Sequence, residues 1–170
     1  MVSPDKTKYM RFPASPSRRS MKGATINGVT YEGVAEFTYL GTLISNDKSV
    51  QTEIQRRILA GNRTYFAAIS LFRNRLLSRA TKLRLYKTLI RPVVTYGAET
   101  WAMTKKEEQA LLIIERKIFG RIYGLKYEDG EWKSRTNREL EELNKGENVV
   151  KWIKVQRIKL AGSPRENGGR

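Results

Sequence analysis

Between Ile54 and Ala98 the chain carries no acidic side chain and ten basic ones: Arg56, Arg57, Arg63, Arg73, Arg75, Arg79, Lys82, Arg84, Lys87 and Arg91. The same span holds apolar residues at helical spacing, among them Ile54, Ile58, Tyr65, Ile69 and Phe72, then Leu83, Tyr86, Ile90, Val93, Val94 and Gly97. It must therefore form two successive helices, each with a buried face and a surface of one sign. Opposite charges at i,i+4 stabilise a helix mildly and like charges repel, so an ordinary solvated helix mixes them. Arg84, Lys87 and Arg91 fall at i, i+3 and i+7, on one stripe opposite the apolar face. That spacing can follow a phosphate backbone. From Glu99 to Asn148 the balance returns, with 11 acids against 10 bases.

The whole chain of 170 residues has 33 Lys and Arg against 17 Asp and Glu, a net charge of +16. Such a charge repels itself in a compact fold unless a polyanion is present. Nucleic acid is the leading partner on these grounds. An anionic membrane surface is the weaker one, because the broad apolar face of residues 83–97 suits helix packing better than lipid. No membrane partner is expected. The chain has no cysteine and no histidine. Disulfides, thiolate zinc sites, histidine metal sites and histidine-based triads are excluded together. The aspartates, Asp5, Asp47 and Asp129, are scattered and form no metal-binding pair. The first twenty residues lack the apolar core of a secretory signal.

Residues 11–22, with prolines and clustered basic residues, read as a flexible linker. Asn27-Gly28 lies between β-favouring residues and predicts a tight two-residue hairpin. Residues 37–45, FTYLGTLIS, read as a third strand of the same small antiparallel sheet. There Gly41 marks a bulge, or a place where another backbone or a ligand passes close. Asn46, Asp47 and Ser49 can cap the first long helix and Ser78 the second. Pro92 predicts a kink or restart. Thr104 with Glu107 and Thr136 with Glu139 form capping boxes for two further helices. Leu111, Ile114, Ile118 and Ile122 form the apolar stripe of the first, and Gly124 its stop. VVKWIKVQRIKLA is the last helix, before a polar tail read as disordered. The fold class is α+β and mostly helical: a small antiparallel sheet followed by four to five helices.

Several segments, in this order, resemble the C-terminal part of a non-LTR (LINE-like) retrotransposon reverse transcriptase. SPDKTKYM (3–10) resembles the turn and strand holding a lysine-threonine pair late in the palm. FTYLGTLIS (37–45) resembles the primer grip, and LRLYKTLIRPVVTYGAETW (83–101), the most specific piece, a long thumb helix. ERKIFGRIYG (115–124) and VVKWIKVQRIKLAG (149–162) continue the likeness. The resemblance implies a palm remnant with its primer-grip hairpin or strand over 1–48, a helical thumb over 49–124, and connector helices over 125–170. It implies that Lys6 sits near nucleotide phosphates and that Tyr39, Leu40 and Gly41 hold the primer end. Arg56, Arg57, Arg63, Arg84, Lys87 and Arg91 would bind the backbone of an RNA–DNA primer-template. Members of this family use two Mg²⁺ ions on palm aspartates. No matching aspartates occur here, so no catalytic residue, metal site or cofactor is expected in this chain; Mg²⁺ belongs to the intact polymerase. The alternative reading is a non-enzymatic helical adaptor, derived from such a thumb, that binds protein or RNA.

Overall fold

The computed structural model describes residues 7–12 and 23–162. The chain divides into two compact units, residues 1–53 and 54–170.

In the first unit, β1 (Lys8–Tyr9), β2 (Ala24–Ile26) and β3 (Val29–Gly33) form a sheet of order β1-β3-β2. Asn27 and Gly28 turn the chain with φ of 51° and 77°, as a two-residue turn with both central residues in the left-handed region requires. The hairpin pairs Ala24 with Tyr31, Thr25 with Thr30 and Ile26 with Val29. The two threonine hydroxyls meet across it at 3.0 Å. β1 joins parallel to β3, so the sheet is mixed where an antiparallel one was expected.

Residues 37–45 are not a third strand. They belong to a separate hairpin, β4 (Glu36–Tyr39) with β5 (Thr42–Ser45), in register Phe37 to Ile44 and Tyr39 to Thr42. Leu40 and Gly41 are its turn, at φ 47° and 80°. Gly41 is thus a turn glycine rather than a mid-strand one. It removes the Cβ penalty at one of two left-handed positions, while Leu40 bears it at the other. No apolar side chain of this unit is buried among its described residues. Ile26, Val29, Phe37, Tyr39, Leu40 and Ile44 all face outward.

Asp47 accepts the Ser49 N–H at 2.8 Å, and Ser49 accepts the Gln51 N–H at 3.2 Å, opening α1 (Gln51–Ala67). The Ser49 N–H holds the Asp47 carboxyl below the usual range. Glu53 is buried and accepts the backbone N–H of Leu43 at 2.9 Å.

The second unit is helical, with one small hairpin. After α1 come α2 (Ile69–Arg73) and α3 (Arg79–Leu85). α3 runs without a break through a π-helical turn (Tyr86–Ile90) into α4 (Arg91–Val94). The expected disturbance at Pro92 takes this form. Proline has no N–H to give the preceding turn and its ring crowds it, and a widened turn just ahead relieves both. The helical run stops at Val94, and Gly97, at φ 72°, leads into a 3₁₀ turn, Ala98–Thr100. Gly97 is therefore a terminator and not part of the apolar helix face. Next comes α5 (Lys105–Tyr123), opened by the Thr104 N–H donating to Glu107. β6 (Lys126–Glu128) and β7 (Glu131–Lys133) follow, turning through Asp129-Gly130 at φ 54° and 82°. This hairpin was not expected. α6 (Asn137–Leu143), with its Thr136–Glu139 box, and α7 (Val149–Gly162) complete the fold.

α5 is the hub, packing against α2, α3, α6 and α7. Leu111, Ile114, Ile118 and Ile122 are all buried, as their spacing requires. They meet Tyr65, Phe72, Tyr86, Ile90, Val94, Leu140, Val149 and Ile153 in one core. Phe119 packs edge-on to Tyr86, 5.1 Å between ring centroids.

Gly61 lets α1 lie close against Val94 and Ile114. A Cβ there would lie 2.3 Å from Val94 Cγ2 and 3.6 Å from Ile114 Cδ1. Glycine in a helix interior costs about 1 kcal/mol against alanine, so the site keeps it for space. Gly61→Ala is expected to destabilise by about 1 kcal/mol net, an overpacking penalty larger than the propensity gain. Adding Val94→Ala should recover part of this loss, and urea denaturation of the single and double variants measures the coupling.

Candidate nucleic-acid interface

α1 presents its basic residues around an open groove lined by Arg56, Arg57, Leu59, Ala60 and Arg63. The Arg57 guanidinium lies over the Tyr96 ring, 4.6 Å from its centroid, which fixes that arginine against the segment after α4. Arg63 is exposed and has no acidic partner among the described residues.

The stripe on the second helical run divides. Arg84 is exposed at the end of α3 and its charge meets no carboxylate among the described residues. Lys87 and Arg91 both reach Glu147, at 2.6 Å and 2.8 Å. Arg91 also lies 4.9 Å from the centre of the Trp152 ring on α7. Those two cations are held by the loop between α6 and α7 and by α7 itself. Lys87 donates a hydrogen bond that, with Arg91, keeps Glu147 below the usual carboxylate range. One carboxylate balances only one of the two positive charges.

Behind this stripe lies Glu115 of α5, buried among apolar neighbours. It accepts the Tyr86 hydroxyl at 2.7 Å and the Val149 N–H at 2.9 Å. Burial pushes its carboxyl up, against the pull of those two donors and of Arg91. Burial and the Glu115 charge likewise push the Tyr86 phenol well up. Glu115 falls on the apolar stripe of α5, one residue after Ile114, and that placement is a sequence signal for a buried, partnered acid. Glu147 and Trp152 carried no such signal.

The other acids of this unit stay close to home. Glu108 pairs with Lys105 and Lys154, and Glu128 and Glu139 with Lys126. Asp129 pairs with Lys133, Glu141 with Lys151 and Glu142 with Arg138. Lys126 and the Thr136 N–H lower the Glu139 carboxyl to about 2.

Tyr39, Leu40 and Gly41 form the tip of the β4–β5 hairpin in the first unit, all exposed. Lys6 lies outside the described residues, as do residues 13–22 of the expected linker and 163–170 of the expected tail. Among the described residues no group of three or more acidic side chains is placed to hold a metal ion. No helix there is long and apolar enough to cross a membrane.

The protein is thus an α+β, mostly helical chain with a basic surface spread over α1 and α3. Over 164 residues it is 21% identical to a protein of Caenorhabditis elegans described as an uncharacterized transposon-derived protein. The match covers 95% of this chain and 57% of that relative, so the chain spans little more than half the relative's length. The similarity supports a transposon-related origin. No family model matches the chain, and no solved structure does.

Glu115 and Glu147 act in opposite senses with pH. A carboxyl raised above its unfolded value of 4.5 favours the fold below that pH, and the contribution fades as pH rises through the folded value. A lowered one such as Glu147 contributes above 4.5 and is lost as pH falls through its folded value. Glu115→Gln should therefore flatten the part of the stability profile that declines above pH 4.5. Glu115→Ala should cost about 2–4 kcal/mol at neutral pH, because it strands the Tyr86 hydroxyl and Val149 N–H in the core. Denaturant melts across the pH range check both.

Proposed function

We propose that this chain is the primer-grip and thumb portion of an RNA-directed DNA polymerase of the non-LTR retrotransposon kind. It holds primer-template nucleic acid through the backbone, without reading sequence, and catalyses no nucleotide transfer by itself. One observation supports the binding part: among the described residues, Arg63, Arg73, Arg75, Lys82 and Arg84 form no ion pair within the fold. Among the described residues, the acids of α5, α6 and the β6–β7 hairpin that form ion pairs do so with bases in residues 105–154, and of the acids after residue 98 only Glu147 reaches back, to Lys87 and Arg91. Arg63 and Arg84 keep their charge for a phosphate, and Arg56 and Arg57 border the same groove as Arg63. Lys87 and Arg91 contribute less, because Glu147 answers part of their charge. The similarity to a transposon-derived protein agrees with this origin. The hairpin tip at Tyr39, Leu40 and Gly41 is the proposed primer grip, and Lys6 the proposed phosphate contact before it. An autonomous adaptor would need a β unit that buries its own apolar face, and the first unit leaves Phe37, Tyr39 and Ile44 outside.

Fluorescence anisotropy with an RNA–DNA duplex, titrated with salt, tests this reading. Four to six phosphate contacts give log K against log salt a slope of about −3.5 to −5.5. Absent or salt-independent binding would refute it. With Mg²⁺ and nucleotides the chain is expected to leave a primer unextended.

A further inference from the structure

The loop between α2 and α3, residues 74–78, carries the most exposed large apolar side chain of the described residues. Leu76 is 93% exposed. It does not hang on a loose segment. Its N–H donates to Asn74 Oδ1 at 2.8 Å, and the Asn74 N–H returns to the Ser70 carbonyl at 3.0 Å. On the other side, Ser78 Oγ accepts the Thr81 N–H at 3.1 Å and caps α3. Both flanks of the loop are therefore tied down, and Leu76 is presented at its tip. Around it in sequence stand Arg73, Arg75, Arg79 and Lys82. Arg73, Arg75 and Lys82 meet no acidic partner among the described residues. Arg79 lies near enough to Tyr123 for its charge to act on the phenol.

A lone leucine thrust into water is ordinary. A leucine flanked in sequence by cations that meet no acidic partner among the described residues is a different surface. The cations match a dense line of phosphates, and an apolar wedge matches the gap between stacked bases. An anionic membrane would satisfy the charge too, but membrane-surface binding draws on a broad apolar face, and this loop offers one protruding side chain.

We propose that the α2–α3 loop is a second nucleic-acid contact, in which Leu76 inserts against the bases of a bound duplex. Arg73, Arg75 and Lys82 hold the flanking phosphates. The proposal rests on the duplex-binding reading above and adds to it a point of contact with bases. Its residues are other than those lining the groove on α1 and other than Arg84, Lys87 and Arg91.

The test uses the full chain and a short RNA–DNA duplex containing 2-aminopurine, whose fluorescence rises when its stacking is disturbed. The wild-type chain should raise the signal on binding. Leu76→Ala should abolish the rise and weaken binding roughly tenfold, the worth of one buried leucine contact, with the salt slope unchanged. Leu76→Phe should keep the rise. Arg75→Gln should reduce the slope by about one. Salt-dependent binding with no difference between wild type and Leu76→Ala would overturn the wedge and leave the duplex-binding reading standing. No binding by the wild type would overturn both. Leu76-dependent binding to phosphatidylserine vesicles, with no such dependence on the duplex, would assign the loop to a membrane and overturn the proposal.

Discussion

A buried carboxylate organises the helical unit. Glu115 stands on the apolar stripe of α5 and is nearly closed to solvent. Such a group is tolerated only when its lone pairs are met. It meets them with donors from two distant segments: the Tyr86 hydroxyl in the π-helical turn and the first backbone N–H of α7. The same acid thus fixes the register of the second helical run against α5 and sets where α7 begins. Tyr86 in turn packs on Phe119, one helical turn along α5 from Glu115. The wide turn at Tyr86–Ile90 relieves Pro92 while Tyr86 keeps its place facing α5.

The placement of α7 then decides the electrostatics of the surface. With α7 seated by Glu115, Glu147 and Trp152 flank Arg91, and Lys87 joins the same carboxylate. The lower part of the basic stripe becomes a structural joint between helices. Its upper part, at Arg84, and the cations of α1 and the α2–α3 loop stay outside that joint. A stripe that is uniform in sequence is therefore divided in space. Counting charges along the helix locates a basic face but cannot find the one acid, sixty residues away, that answers part of it.

Local chemistry explains what was legible. Asn27-Gly28, the Thr136–Glu139 box, the Ser78 cap and the α5 stripe are each encoded within a few residues, and each forms as read. The residue pattern hides the β4–β5 turn, because Leu40 occupies a left-handed position that leucine seldom takes and the segment scans as an unbroken strand; the hairpin alternative there comes from the family resemblance. Asp129-Gly130 is a strong turn pair, but charged residues around it hide the alternation that would flag its strands. The parallel pairing of β1 with β3 joins residues 24 positions apart and has no local signature. Among the site residues, Arg84, Lys87 and Arg91 do share one helical run, but the partners that separate their roles come from α7 and the loop before it.

The division of the basic surface can be measured by comparing salt slopes of duplex binding for two double variants. Arg63→Gln with Arg84→Gln should reduce the slope by about two and leave the melting temperature nearly unchanged. Lys87→Gln with Arg91→Gln should lower the melting temperature and change the slope by less than one. If the second pair reduces the slope as much as the first while the fold stays equally stable, Glu147 does not hold those cations in solution, and the division drawn here is wrong.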